Sequence, residues 1–368
     1  MQQADLSPDN QTTSAFATPN ANDFKQFQTI LLGPFIAPTE FTLEKREVLT
    51  DQWLDGRATV ENRTYKISHG QTAERFEIVF VHLNGSPNAP LIITQNLSSN
   101  RSVVARDGES PLSGEVRSFG PLGGIFGYFF GRYIVEHPYE DILDRGYSIA
   151  VMHPAEYIPD RAKAGISKLE AIFPNSGERR PGTLSVWASL STALAAEIKT
   201  HTPDRPIIAY GHSRYGKTAL IAAAVSNDIN GAISHQSGTV GASILRDKTG
   251  ERLKDIVKTY PHWVTPLAAD YADDPFTLPV DASALLAAIA PKPILLGNAR
   301  RDVWSDPEGA YRAAKIAAPA WGEESFNATR LDDFRPEDDI AFWIRPGTHG
   351  VVKEDWPAFL DFLDAHFK

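Results

Sequence analysis

The pattern of apolar and polar positions changes character about a quarter of the way along the chain. Over residues 57–67 and 74–83, β-branched and aromatic residues alternate with polar ones. That period of two belongs to half-buried antiparallel strands, and 90–95 adds a third short strand. Further on, continuous apolar runs bounded by turn residues alternate with longer stretches of helical period. Strands are predicted at 147–152, 206–210, Gly231–His235, 293–297 and 340–344. Helices are predicted over about 184–199, from about Lys217, and near 282–288, Pro307–Ala317 and 356–367. Antiparallel strands followed by strand–helix alternation predict one three-layer α/β domain with a mostly parallel central sheet. The Gly- and Phe-rich segment 112–133 and the polar segment 157–181 read as loops over that sheet.

Composition narrows the chemistry. A length of 368 residues gives a prior of two to three domains, yet no linker divides the chain. The expectation is a polar, loose tail over 1–22 and a single domain over 23–368. With 42% apolar and 22% charged residues, the chain can bury a sizeable core. There is no cysteine, which removes disulfides, thiolate metal sites and thiol nucleophiles together. A formal charge of −10 argues against a surface built for the phosphate backbone of nucleic acid. No apolar run approaches the length of a membrane span. The first residues, Met1-Gln2-Gln3-Ala4-Asp5, lack the basic start and apolar centre of a signal peptide. A cytoplasmic protein with a loose tail and an exported protein whose leader has been replaced by Met1 both fit.

The most informative stretch runs from Pro206 to Leu220: a short apolar strand, a turn and an Ala-rich helix. Two mechanisms compete for it. Gly211 to Thr218 satisfies the phosphate-loop pattern G-x-x-x-x-G-K-[ST], with Lys217 for the β/γ-phosphates and Thr218 for magnesium. Against that reading, the bulky run His212-Ser213-Arg214-Tyr215 stands where backbone amides should wrap an anion. No later strand ends in an aspartate suited to holding the metal. The other mechanism is a nucleophile elbow with Ser213 at a strand-to-helix turn, its second glycine one place late at Gly216. A serine capping the following helix is the commoner role for such a residue.

The later loops favour the elbow. An α/β-hydrolase orders its triad Ser, acid, His, with the last two on loops after later strands. The strand at 293–297 is followed by a loop carrying Asp302 and Asp306, and the strand at 340–344 by Thr348-His349-Gly350. Both loops would open at the carboxyl edge of the sheet, where Ser213 emerges. His349 would then take the Ser213 proton while a carboxylate fixes the imidazole tautomer.

These segments resemble the glucuronoyl esterases of carbohydrate esterase family 15, whose elbow reads G-x-S-R-x-G-K. Similar to bacterial members are Ser237-Gly238, Gly250-Glu251 followed by Tyr260-Pro261-His262-Trp263, and Asp302-x-Trp304-x-Asp306-Pro307. The closing run Arg345-Pro346-Gly347-Thr348-His349-Gly350, with Asp355-Trp356, also resembles theirs. The likeness extends from about Asp141 to the end and is densest over 206–310. It implies an α/β-hydrolase fold with Ser213 as nucleophile, His349 as general base and Arg214 in the oxyanion hole. Lys217, Glu251 and Trp304 would line the sugar pocket. The chain departs from the family where many members carry a glutamate just before Ser-Gly, because Gln236 stands there. Asp302 is therefore assigned as the acid, with Asp306 as the fallback.

The implied substrate is an ester of the glucuronic acid carboxyl group in a polysaccharide or oligosaccharide, such as a xylan glucuronate linked to a lignin alcohol. No metal or organic cofactor, nucleic acid or membrane is implied. The resemblance points to a secreted or periplasmic bacterial protein whose signal peptide is absent from this chain. Three competitors stay open: an esterase for another ester, a catalytically weak carbohydrate-binding relative, and the phosphate-loop nucleotide hydrolase.

Overall fold

A computed structural model describes residues 18–69, 72–100, 137–322 and 324–368. The segment 112–133 lies outside these residues, as does the tail expected over 1–22 except for its last five. Nine strands form one sheet in the order β1-β2-β3-β5-β4-β6-β7-β8-β9. They are β1 (Glu40–Gln52), β2 (Ala58–His69), β3 (Thr72–Leu83), β4 (Leu91–Gln95), β5 (Ser148–Met152), β6 (Ile207–His212), β7 (Gly231–His235), β8 (Ile294–Ala299) and β9 (Ile340–Arg345). The first three form an antiparallel ribbon that joins β5, and every pair from β5 through β9 is parallel. The three-layer α/β expectation therefore holds.

The helices that accompany the sheet and are used below are α1 (Ala21–Phe27), α2 (Tyr139–Asp144), α3 (Ala162–Ile172), α4 (Thr183–His201), α5 (Arg214–Val225), α6 (Leu253–Thr259), α7 (Ala282–Ala287), α8 (Pro307–Ala317) and α9 (Asp355–Phe367). A cis peptide joins Ala290 to Pro291 just before β8. The expectation of a loop over 157–181 needs correcting, because α3 occupies its centre. Gly165, Leu169 and Ile172 recur there at helical spacing and are buried, while polar Lys163, Ser167 and Glu170 are exposed.

Strands β4 to β8 are buried at every position, so they read as continuous apolar runs, as a sheet covered on both faces demands. One core lies on the side of α4, α5 and α8, and includes Trp187, Leu190, Leu220 and Ile294. The other lies under α2 and α9, where the Tyr210 ring packs 5.2 Å from Trp356 and 5.8 Å from Phe359.

The register of the parallel strands decides where chemistry can collect. His212 pairs with His235, His235 with Gly297, and Ala299 with Arg345. The ends of β6, β7, β8 and β9 thus lie side by side. The loops that follow them share one edge of the sheet, the usual place for an α/β site.

Candidate active site

At the end of β6 the chain reverses into α5 through Ser213, whose φ of 57° and ψ of −124° are unusual for a residue with a side chain. Such a conformation costs roughly 1–3 kcal/mol and persists only where its surroundings enforce it. Two glycines show how they do so. A Cβ at Gly211 would fall 2.1 Å from the Tyr215 carbonyl oxygen, so strand and helix approach too closely for any other residue. A Cβ at Gly216 would meet the Gly211 and His235 carbonyls at 3.0 and 3.1 Å. The second small residue is therefore needed where α5 crosses the strand ends, one place later than the usual pattern. Tyr215, in the position of the usual glycine, turns instead into the core against Trp187. The helix begins at Arg214, not Lys217. Its first amides have no partner within the helix and lie next to Ser213, so they can receive negative charge.

Across the strand ends, His349 Nδ1 lies 2.7 Å from Asp302 Oδ2. Asp302 is 3% exposed. Burial alone would raise its carboxyl, but hydrogen bonds from His349 and Ser305 hold it below the ordinary aspartate range. Ser305, which the sequence reading did not single out, links the elements. Its amide donates to Asp302 Oδ1, its hydroxyl donates to the Gln236 carbonyl, and the same oxygen is 3.3 Å from His349 Nδ1. The His349 ring lies 4.6 Å from that of His212, the residue before Ser213. Burial pushes His212 well below the ordinary histidine range, with His349 and His235 adding to the effect, so it stays a neutral packing partner.

Asp306 is committed elsewhere. Its carboxylate accepts from the Gly309 amide and from the hydroxyls of Ser243 and Thr249, which makes it the N-cap of α8. Gln236 makes no bond to the His349 ring; its carboxamide binds the backbone of residues 348 and 350.

The remaining candidates fall into two groups. The Arg214 guanidinium pairs with Asp160 and lies 4.9 Å over the Trp263 ring. His262 Nε2 and Trp263 Nε1 also bond to Asp160, at 3.0 and 2.8 Å. Burial opposes ionisation of Asp160, yet His262, Arg214 and Trp263 together bring it down to about 2. The second group centres on Lys217, which is 3% exposed and donates to the Ser237 and Thr239 carbonyls, with Glu251 Oε2 at 3.7 Å. Burial pushes Lys217 down to about 8 against the pull of Glu251. The Glu251 amide donates to the Trp304 carbonyl, so the two candidates are neighbours. Trp304 is 57% exposed and Val303 63%, an apolar pair in the open beside Asp302.

This arrangement disposes of the phosphate loop. Lys217 is bound to two carbonyls, and the Thr218 hydroxyl lies 2.6 Å from Gln95 Oε1 and 2.8 Å from the Tyr215 carbonyl, with its one proton engaged between them. Neither points to a place for phosphates or magnesium. Among the described residues, no group of three or more His, Asp or Glu could hold a metal ion. No helix among them is long and apolar enough to cross a membrane.

Comparison with known proteins adds an independent line. Residues 181–323 match a family described as glucuronyl esterase, fungi. A carbohydrate esterase, MZ0003, from an unknown prokaryotic organism is 31% identical over 240 residues, which cover 62% of this chain and 55% of that protein. The chain thus spans about half the length of this curated relative. The glucuronoyl esterase from Solibacter usitatus superposes with a TM-score of 0.77 at 24% identity, covering 94% of this chain and 91% of that one. A promiscuous esterase of the same family from a marine bacterial metagenome gives 0.78 at 23%, covering 94% and 90%. The chain has the α/β-hydrolase fold of these esterases, and the similarity to glucuronoyl esterases first read from its motifs recurs in the family match over 181–323 and in these solved structures.

Proposed function

We propose that the protein is a serine esterase that cleaves esters of the glucuronic acid carboxyl group. The observation that carries this reading is the 2.7 Å His349–Asp302 contact at the same sheet edge as the strained Ser213 elbow. Asp302 holds the Nδ1–H tautomer, which leaves Nε2 as the base. His349 takes the proton of Ser213 as its Oγ attacks the uronoyl carbonyl. The first amides of α5 and the Arg214 side chain stabilise the resulting oxyanion. The intermediate expels the alcohol, which receives the proton from His349, and water activated by the same imidazole releases the acid.

Lys217 and Glu251 form a buried charged pair that acts on the sugar side of the site through its field rather than by direct contact, and exposed Trp304 supplies an apolar wall. A local cation matters because the ester is neutral and acquires negative charge only as the tetrahedral intermediate forms. An ionised Asp302 bonded to His349 speaks against a catalytically weak carbohydrate-binding protein despite Gln236. Action on polysaccharide outside the cytoplasm, by a secreted or periplasmic protein, accords with such a substrate. The deciding experiment is turnover of a methyl glucuronate beside p-nitrophenyl acetate. Hydrolysis of the uronate ester is expected to dominate and to vanish in Ser213→Ala. Acetate-only turnover would reject the uronate assignment. A broader ester range is the second reading, favoured by the open, apolar Val303–Trp304 surface beside Asp302.

A further inference from the structure

Gln236 stands where a carboxylate would give a second acid, and its surroundings assign it a different task. Its φ of 51° turns the chain sharply at the end of β7. The Gln236 amide donates to the Gly297 carbonyl at 2.7 Å, and its own carbonyl accepts from Ser305 at 3.1 Å. Its side chain, 1% exposed, crosses to the loop after β9. There Nε2 donates to the Thr348 carbonyl at 3.2 Å, and Oε1 accepts from the Gly350 amide at 2.8 Å. One carboxamide thus grips the backbone on both sides of His349. The amide orientation is fixed by these partners, since the reverse would set N–H against N–H and oxygen against oxygen.

The loop needs such a grip. It follows β9, the last strand of the sheet, and carries Gly347 and Gly350 at φ of 109° and 150°. A cavity of about 330 Å³ opens beside it, lined by residues of 345–354. On its other side Arg345 donates to the carbonyls of Pro346, Thr348 and Gly350 while pairing with Asp355. A guanidinium can only donate, so the Gly350 amide depends on Gln236. Glutamate could accept from Gly350, but its second carboxylate oxygen would face the Thr348 carbonyl.

We propose that Gln236 is a positioning residue that fixes the His349 backbone, so that the imidazole meets Asp302 and Ser213 together. This rests on the serine-esterase reading and is independent of which ester is cleaved. The test uses the full chain with two variants, Gln236→Ala and the isosteric Gln236→Glu, and the rate at which a fluorophosphonate labels Ser213. Both variants are expected to label 10- to 100-fold more slowly, the scale of a misplacement of about 1 Å. On any ester the wild type cleaves, kcat should fall likewise with KM within about twofold, and the downfield proton resonance of His349 Nδ1–H should broaden or shift. A loss of fold alone would not leave KM and circular dichroism unchanged.

Wild-type labelling rates in both variants would overturn the proposal. Full-rate labelling by Gln236→Glu alone would also overturn it, because the donor to Thr348 would then be dispensable. A wild type that labels but ignores methyl glucuronate would reject only the substrate assignment. A wild type that never labels would end both.

Discussion

Glu61 and Asp302 are both buried carboxylates beside histidines, and they behave oppositely. Glu61, on β2, is 1% exposed; Arg46 Nε and Arg63 Nε lie within 3.1 Å of it and His82 Nε2 at 3.5 Å. Burial would raise it, but His82 and the two arginines drive it far below the ordinary glutamate range. It lines a cavity of about 670 Å³, roughly twice the size of the one beside His349. Asp302 has one histidine, one serine hydroxyl in reach and one amide. Size favours the first place and chemistry the second. Glu61 has its charge fully matched by fixed cations, so nothing remains to be exchanged with a substrate. Asp302 supports a half-exposed imidazole whose far nitrogen has no partner among the described residues. A carboxylate signals catalysis when its partner can still gain and lose a proton.

The sharpest way to break this contrast is to neutralise each acid in turn. Asp302→Asn is expected to cut kcat by about 10³–10⁴, because an amide no longer enforces the Nδ1–H tautomer. Urea unfolding of that variant should show only a small change in midpoint. Glu61→Gln is expected to do the reverse. It should leave kcat within about twofold yet destabilise the fold by about 1–3 kcal/mol, the half-exposed Arg46 limiting the loss. If Asp302→Asn kept near-normal turnover, the acid assignment would fail and Glu61 could no longer serve as its foil.

Lys217 sharpens the comparison from the substrate side, with an expected effect of about 10- to 100-fold. Its native value of about 8 lies below the value of about 10.4 for an unfolded lysine. Activity on a uronate ester should therefore fall as pH rises through about 8. Stability should rise between about 8 and 10, because over that range the unfolded chain binds the proton more tightly. Neutral Lys217 keeps two N–H donors, enough for its two carbonyl partners. Lys217→Met should remove the alkaline loss of kcat/KM, and an unaltered pH profile in that variant would clear the lysine of any charge role. The smallest effect is reserved for Trp304→Ala: about threefold in KM with kcat unchanged, as befits an exposed ring worth about 0.5–1 kcal/mol.

What could be read from the sequence followed burial. The strands from β2 to β9 fall within two residues of their predicted ends, since half-buried alternation and fully buried runs both leave a pattern. β1 leaves no such pattern because nine of its thirteen positions, 42–48 with 51 and 52, are exposed, and 44–47 are all charged, a typical edge strand with no apolar period. α3 leaves only a weak stripe, because just three of its eleven positions are buried and one of those is Gly165. At the site, Ser213, His349 and Asp302 were legible through local motifs at strand ends. Ser305 and the carboxamide of Gln236 were not, because their partners lie tens of residues away and meet them only through the register of β7, β8 and β9. Asp160 was equally silent: its three partners come from the elbow and from 262–263, and nothing in its own neighbourhood announces them.

The position of β9 has a consequence for the order in which the protein acquires its chemistry. The elbow lies on β6 at the middle of the sheet, whereas the base hangs from the outermost strand, which can dock only on a finished β8. Chains are made from the amino end, and contacts between distant segments form late. On the proposed mechanism, the nucleophile is therefore shaped well before the group that would activate it arrives. A nascent or partly folded molecule would then carry an inert serine until the last strand closes the sheet.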